Sequence, residues 1–120
     1  ALFNNNPKFH VKLYEKSKVK LEFLTFIRNK IDIKYEILGN YIDYEIDSNY
    51  VVSRAFKKLE EIIRISREII KVNHKLIILK GKKAEFEIKS LQPKLDYRYD
   101  LIKSITNKES KIIIIDFKKL

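Results

Sequence analysis

Short apolar segments of strand length alternate with longer segments of helical period, and this alternation constrains the fold more than any other feature. "FHVKLYE" (Phe9 to Glu15) and "IKYEIL" (Ile33 to Leu38) are short and largely alternating. "YVVSR" (Tyr50 to Arg54) and "KLIILK" (Lys75 to Lys80) are short and apolar, so four strands are predicted. Between the first two lies "SKVKLEFLTFIRNKID" (Ser17 to Asp32), with Val19, Phe23, Phe26, Ile27 and Ile31 on one broad helical face and Ser17 placed to cap it. Between the last two lies "KKLEEIIRISREIIK" (Lys57 to Lys71), where Leu59, Ile62, Ile63, Ser66, Ile69 and Ile70 recur at the spacing of an amphipathic helix.

Strands alternating with helices of this length predict parallel strands joined by crossovers, hence an α/β sheet. After Gly81 a short helix is expected at about Ala84 to Ser90. Then "LDYRYDLIKSI" (Leu95 to Ile105) and "KIIIIDFK" (Lys111 to Lys118), separated by the polar "TNKES", predict an antiparallel hairpin closing one edge of a mostly parallel sheet. No repeat or low-complexity linker interrupts the 120 residues, so a single domain is expected.

A chain without cysteine can hold neither a disulfide framework nor a thiolate metal site, which fits a reducing compartment. The longest obvious apolar run, Ile112 to Ile115, is far short of a membrane span, and "ALFNNNPKFH" lacks the basic and apolar regions of a secretory signal. A cytoplasmic protein without membrane contact is expected. The chain begins at Ala1 and contains no methionine, so further sequence upstream is expected too.

Lys and Arg outnumber Asp and Glu by 26 to 16, a net charge of +10 that would attract polyanions such as nucleic acid. Codon usage in an AT-rich genome would account for the same excess. "LKGKK", Lys80 to Lys83, is the densest basic stretch and follows a predicted strand.

In an open parallel sheet, ligands bind outside the carboxyl ends of the strands. Those ends carry Glu15, the "GNYID" segment from Gly39 to Asp43, Ser53 with Arg54, and Lys80 with Gly81. Arg54 is the most unusual, a permanent charge where an apolar strand gives way to a helix. It either reaches a ligand crevice or pairs with a carboxylate such as Glu15 or Asp43 to steady the sheet end, and composition does not choose between the two.

"VVSRAFKKLEEII", followed some two dozen residues later by "LIILKGKKAEFEI", resembles the bacterial small-subunit ribosomal RNA methyltransferase G family, also called the glucose-inhibited division protein B family. There a strand ends in S/T-R-A, a helix follows, and the next strand ends in L-K-G before an acidic helix. "PKFHVKLYEKSKVKLEFL" is similar to the family's second strand, its acidic residue and the helix start after it. The resemblance spans nearly the whole chain in order and spacing. It implies a Rossmann-like class I methyltransferase fold, here truncated, that moves a methyl group from S-adenosylmethionine to N7 of a guanine in 16S ribosomal RNA, with RNA or the small-subunit particle as partner.

Position by position, the resemblance implies that Glu15 holds the cofactor ribose, where a carboxylate can accept from both hydroxyls of a diol. It likewise places Ile42 and Asp43 beside the adenine, Arg54 on the cofactor beside the methyl donor, and Lys80 and Gly81 near where RNA enters, with Lys82 and Lys83 as further RNA contacts. Guanine N7 has a lone pair and no proton to lose, so no catalytic base is expected and alignment of donor and acceptor suffices. No metal is expected either: His10, read in a strand, and His74, read in a helix-to-strand turn, have no neighbour at ligand spacing.

The departure from the family is its first strand and glycine-rich turn, G-x-G-x-G-x-P-G, which have no counterpart among these residues. That strand is normally central, between those ending here at Glu15 and Arg54. Its loss would forfeit about ten ladder bonds at about 1 kcal/mol net each, comparable with a domain's whole stability of about 5–15 kcal/mol. The chain alone is therefore expected to be inactive, and to be poorly stable or to close its sheet differently. A second function stays open at this point, a non-catalytic basic α/β module binding RNA or ribosomes through Lys57, Lys58, Lys80, Lys82 and Lys83.

Overall fold

The computed structural model describes residues 10–32, 34–54, 57–91 and 97–117. The chain divides into two compact units, Ala1–Tyr44 and Glu45–Leu120. Phe9, Ile33, Ala55, Phe56, Leu95, Asp96 and Lys118, all included in expected elements or motifs, lie outside the described residues.

The first unit holds strand β1 (Lys12–Tyr14), helix α1 (Lys18–Ile31), strand β2 (Glu36–Leu38) and a single 3-10 turn, Tyr41–Asp43. β1 and β2 pair in parallel, with Tyr14 opposite Leu38. Both strands are shorter than predicted, because the alternating pattern runs on into flanking residues that make no ladder. α1 starts where the sequence places it. The Ser17 hydroxyl accepts from the Lys20 amide, and the helix stops at Asp32, whose left-handed φ of 48° ends the helical run. The Tyr35 hydroxyl ties the strand side to the helix by donating to the Leu24 carbonyl at 2.6 Å.

The apolar face expected to bury α1 is not buried. Val19, Phe23, Phe26 and Ile31 are 75%, 61%, 56% and 55% exposed, and only Ile27 of that set is half-buried. The unit's sheet has two strands of three residues each, too little surface to cover so broad a stripe.

The second unit contains strand β3 (Tyr50–Arg54), helix α2 (Leu59–Ile69), strand β4 (His74–Lys80), helix α3 (Ala84–Leu91), and strands β5 (Arg98–Lys103) and β6 (Lys111–Phe117). Its sheet runs β3-β4-β6-β5, with β3 parallel to β4 and the predicted hairpin attached through β6 antiparallel to β4. Two of the four pairings in the described residues are therefore antiparallel, where the sequence predicts a mostly parallel sheet. They dominate because the β4–β6 and β5–β6 ladders run to seven and six residue pairs, against five and three for the parallel ones. Among the described residues the strands belong to two sheets, β1-β2 and β3-β4-β6-β5, where the sequence predicts one.

The described core lies almost wholly in this unit. Leu59, Ile62, Ile63 and Ser66 form the buried face of α2, as their spacing predicts, and Ile70 is buried beyond its end. Against them pack Leu76 and Ile78 of β4, Ile113, Ile115 and Phe117 of β6, and Ala84 and Ile88 of α3. Alternation along β4 and β6 turns these side chains to one face. Each buried Leu or Ile contributes about 1.5–3 kcal/mol relative to exposure. Ile46, outside any predicted element, joins the core through an isolated bridge to Ile70.

Both histidines have structural partners, and neither lies where the pattern places it. His74 is the buried first residue of β4, not part of a turn. Its Nδ1 donates to the Val72 carbonyl at 2.9 Å, and its Nε2 shares a 2.7 Å hydrogen bond with the buried Ser66 hydroxyl. A carbonyl can only accept, which assigns the Nδ1 proton. The Phe117 ring lies against the imidazole at 4.9 Å. His10 precedes β1, is exposed, and meets the Glu36 carboxylate at 3.0 Å.

Candidate cofactor-binding site

At the carboxyl end of the first sheet, parallel register sets Glu15 just past Tyr14 and Gly39 just past Leu38, on the same rim. The Glu15 amide donates to the Gly39 carbonyl at 3.1 Å, so the two strand ends are clasped together. The half-buried Glu15 carboxylate accepts from the Ser17 amide through Oε1 at 3.0 Å, in the turn leading into α1. Its other oxygen has no hydrogen-bond partner among the described residues of this unit.

One turn further along this rim stand Ile42 and Asp43. Asn40 shapes their turn: its side-chain oxygen accepts from the Ile42 amide at 3.4 Å, and its carbonyl accepts from the Asp43 amide at 3.1 Å. Ile42 is 64% exposed, and the Asp43 carboxylate is exposed beside it. Tyr44 buttresses the rim, its hydroxyl accepting from the Gly39 amide at 3.3 Å and its ring meeting the Tyr14 ring edge-on at 5.5 Å. An apolar surface next to an acceptor suits a purine with an exocyclic amino group, and a carboxylate oxygen with spare lone pairs suits a ribose diol. The donor set of this unit thus fits the nucleoside part of S-adenosylmethionine.

The second unit presents Arg54 at the carboxyl end of edge strand β3, opposite Leu79 of β4. Arg54 is exposed, and among the described residues of its unit no carboxylate comes within ion-pair distance of its guanidinium.

The lysines near this strand end differ sharply from one another. Lys80 is not a free cation for RNA: its side chain is 9% exposed, its ammonium pairs with Glu87 at 3.0 Å, and it donates to the Lys57 carbonyl at 3.2 Å. Such a committed, desolvated ammonium has little left to give a phosphate. Lys82 is 78% exposed and its pair with Glu109 at 2.9 Å is a surface contact worth little. Lys83 is exposed, with no ion pair among the described residues. Lys57 hydrogen-bonds the exposed Glu61 at 2.8 Å, which holds that carboxyl below the usual carboxylate range.

Glu87 is the residue that sequence reasoning misses. The cue was present: α2 begins at Lys-Lys-Leu with no Ser, Thr, Asp or Asn to cap it, whereas α1 has Ser17. Such a helix start asks for an acceptor from elsewhere, and Glu87 accepts from the Leu59 amide at 2.8 Å.

Residues 2–114 match the family model described as rRNA small subunit methyltransferase G. Over 93 residues the chain is 33% identical to ribosomal RNA small subunit methyltransferase G of Mycoplasma capricolum, covering 73% of this chain and 40% of that protein. The chain spans about half the length of the curated relatives it matches. Among solved structures, a methyltransferase from Geobacter sulfurreducens superposes with a TM-score of 0.65 at 10% identity, over 90% of this chain and 58% of that one. A Streptococcus mutans protein in complex with SAH gives 0.60 at 13% identity, over 89% and 75%. These likenesses establish the fold, Rossmann-like and α/β, with class I methyltransferases as its structural neighbours. The family's methyl donor is S-adenosyl-L-methionine. The chain belongs to the rRNA small subunit methyltransferase G family.

Proposed function

We propose that this chain is the cofactor-holding part of a single methyltransferase domain that methylates N7 of a guanine in 16S ribosomal RNA, acting in the cytoplasm on RNA or the small-subunit particle. The observation that carries the reading is the rim of the first unit, where Glu15 and the Tyr41–Asp43 turn follow two parallel strands whose ends are clasped together. In this reading Glu15 takes the ribose hydroxyls on its unpartnered oxygen, and Ile42 with Asp43 flanks the adenine. Arg54 is the residue that the resemblance assigns to the cofactor; a guanidinium binds a carboxylate in bidentate fashion, as the amino-acid end of the donor offers.

When bound, S-adenosylmethionine supplies an electrophilic methyl group on a sulfonium. The chain's own residues then need only to bind, orient and exclude water, because N7 gives up no proton. Lys82 and Lys83 are the basic residues assigned to RNA, and Lys80 is reassigned to the framework. Calorimetry on the full-length protein tests the reading. Glu15→Ala is expected to weaken S-adenosylmethionine binding by about 1.5–3 kcal/mol, the worth of hydrogen bonds to a charged group. Undiminished affinity would remove Glu15 from the site, and salt-sensitive RNA binding with no cofactor affinity would favour the non-catalytic basic module.

A further inference from the structure

We propose that Glu87 and Lys80 are positioning residues, a buried clamp that holds the start of α2 to the strand beside Arg54. The inference rests on the cofactor reading of Arg54 given above. Glu87 Oε2 accepts from the Leu59 amide at 2.8 Å and Oε1 pairs with the Lys80 ammonium at 3.0 Å, while Lys80 donates to the Lys57 carbonyl at 3.2 Å. Backbone groups on both sides of Lys58, the N-cap residue without a side-chain cap, are thereby held by two charged side chains that are 9% and 19% exposed.

The arrangement costs more than capping requires. A serine at position 58 would satisfy the helix end locally, whereas an ion pair this deep carries a desolvation penalty. What the pair adds is a three-way tie between β4, α3 and the start of α2. Lys80 follows Leu79, the β4 partner of Arg54, so the tie anchors the start of α2 to the strand beside Arg54. An exposed arginine on an edge strand has wide rotamer freedom, and its aim depends on how firmly the strand pair that carries it is held.

The test compares kcat, KM for S-adenosylmethionine and thermal melting in the full-length protein for Glu87→Ala, Glu87→Gln and Lys80→Met. Ser66→Ala, which removes the His74 partner at the opposite end of β4, serves as a control for destabilisation alone. Glu87→Ala and Lys80→Met are each expected to lower kcat/KM by about tenfold or more, the scale on which sub-ångström to 1 Å misplacement acts. Glu87→Gln keeps an acceptor for the Leu59 amide but loses the ion pair with Lys80, so its loss of kcat/KM is expected to be smaller than that of Glu87→Ala, and Ser66→Ala should lower melting without touching turnover. Turnover in Glu87→Ala equal to the unsubstituted protein, or loss that merely follows melting in the same way as Ser66→Ala, overturns the clamp's role. Should Glu87→Ala fail to fold, Lys80→Met decides by the same criteria. An unsubstituted protein that binds no S-adenosylmethionine defeats the cofactor reading itself, and the positioning role with it.

Discussion

Arg54→Ala is expected to abolish methyl transfer by the full-length protein while leaving its melting nearly unchanged. The side chain is exposed at the end of an edge strand and has no carboxylate partner among the described residues of its unit, so truncation breaks no ion pair among them. Surface substitutions of that kind usually change stability by less than about 0.5 kcal/mol. A preorganised charge at a reacting centre is worth about 10²–10³ in turnover. Arg54→Lys should recover little, since an ammonium lacks the planar fork that grips a carboxylate. Single-turnover transfer alongside thermal melting checks both halves. Retained transfer with a lowered melting temperature would make Arg54 a structural residue.

The second large effect is on stability. Ile113 sits on β6 at the centre of the described core, fully buried, with Leu76, Ile78 and Ile115 around it in the same cluster. Ile113→Ala should cost about 2–5 kcal/mol, methylene burial lost plus the cavity left behind. Against a typical total of about 5–15 kcal/mol, that is enough to bring the second unit near its unfolding threshold. Val52→Ala, at a position 66% exposed on β3, should cost far less. Urea denaturation of the two variants reads the difference; similar midpoints would mean that the stabilising core lies elsewhere.

How much of this was legible depended on how local the cause was. β3 is the predicted segment residue for residue, because an apolar run ends in a charge and nothing in between is ambiguous. α2 follows from its period, and Ser17 as the cap of α1 follows from side-chain chemistry. The lengths of β1 and β2 were over-read, since alternation persists where no ladder exists. The α1 stripe was read as core because an amphipathic pattern records which face would be buried, not whether a surface is there to receive it.

The site shows the same division. Glu15, Ile42, Asp43 and Arg54 were placed at strand ends by topology and resemblance, and the described residues set Glu15 and the Tyr41–Asp43 turn at one end of the first sheet. The Lys80–Glu87 pair is not legible in the sequence, because Glu87 lies on the next helix, where no short-range pattern joins them. The uncapped start of α2 is legible as a need for an outside acceptor, but that Glu87, 28 residues on, supplies it is not. Density of lysines in a sequence says nothing of which ammonium is already spent.

The central claim is met most directly by supplying the full-length protein with labelled S-adenosylmethionine and 16S RNA, naked or in small-subunit particles, and mapping the label by strand cleavage at 7-methylguanosine. Label at N7 of one guanine, lost in Arg54→Ala, is the predicted result. RNA that is bound in a salt-sensitive manner and never labelled would contradict it.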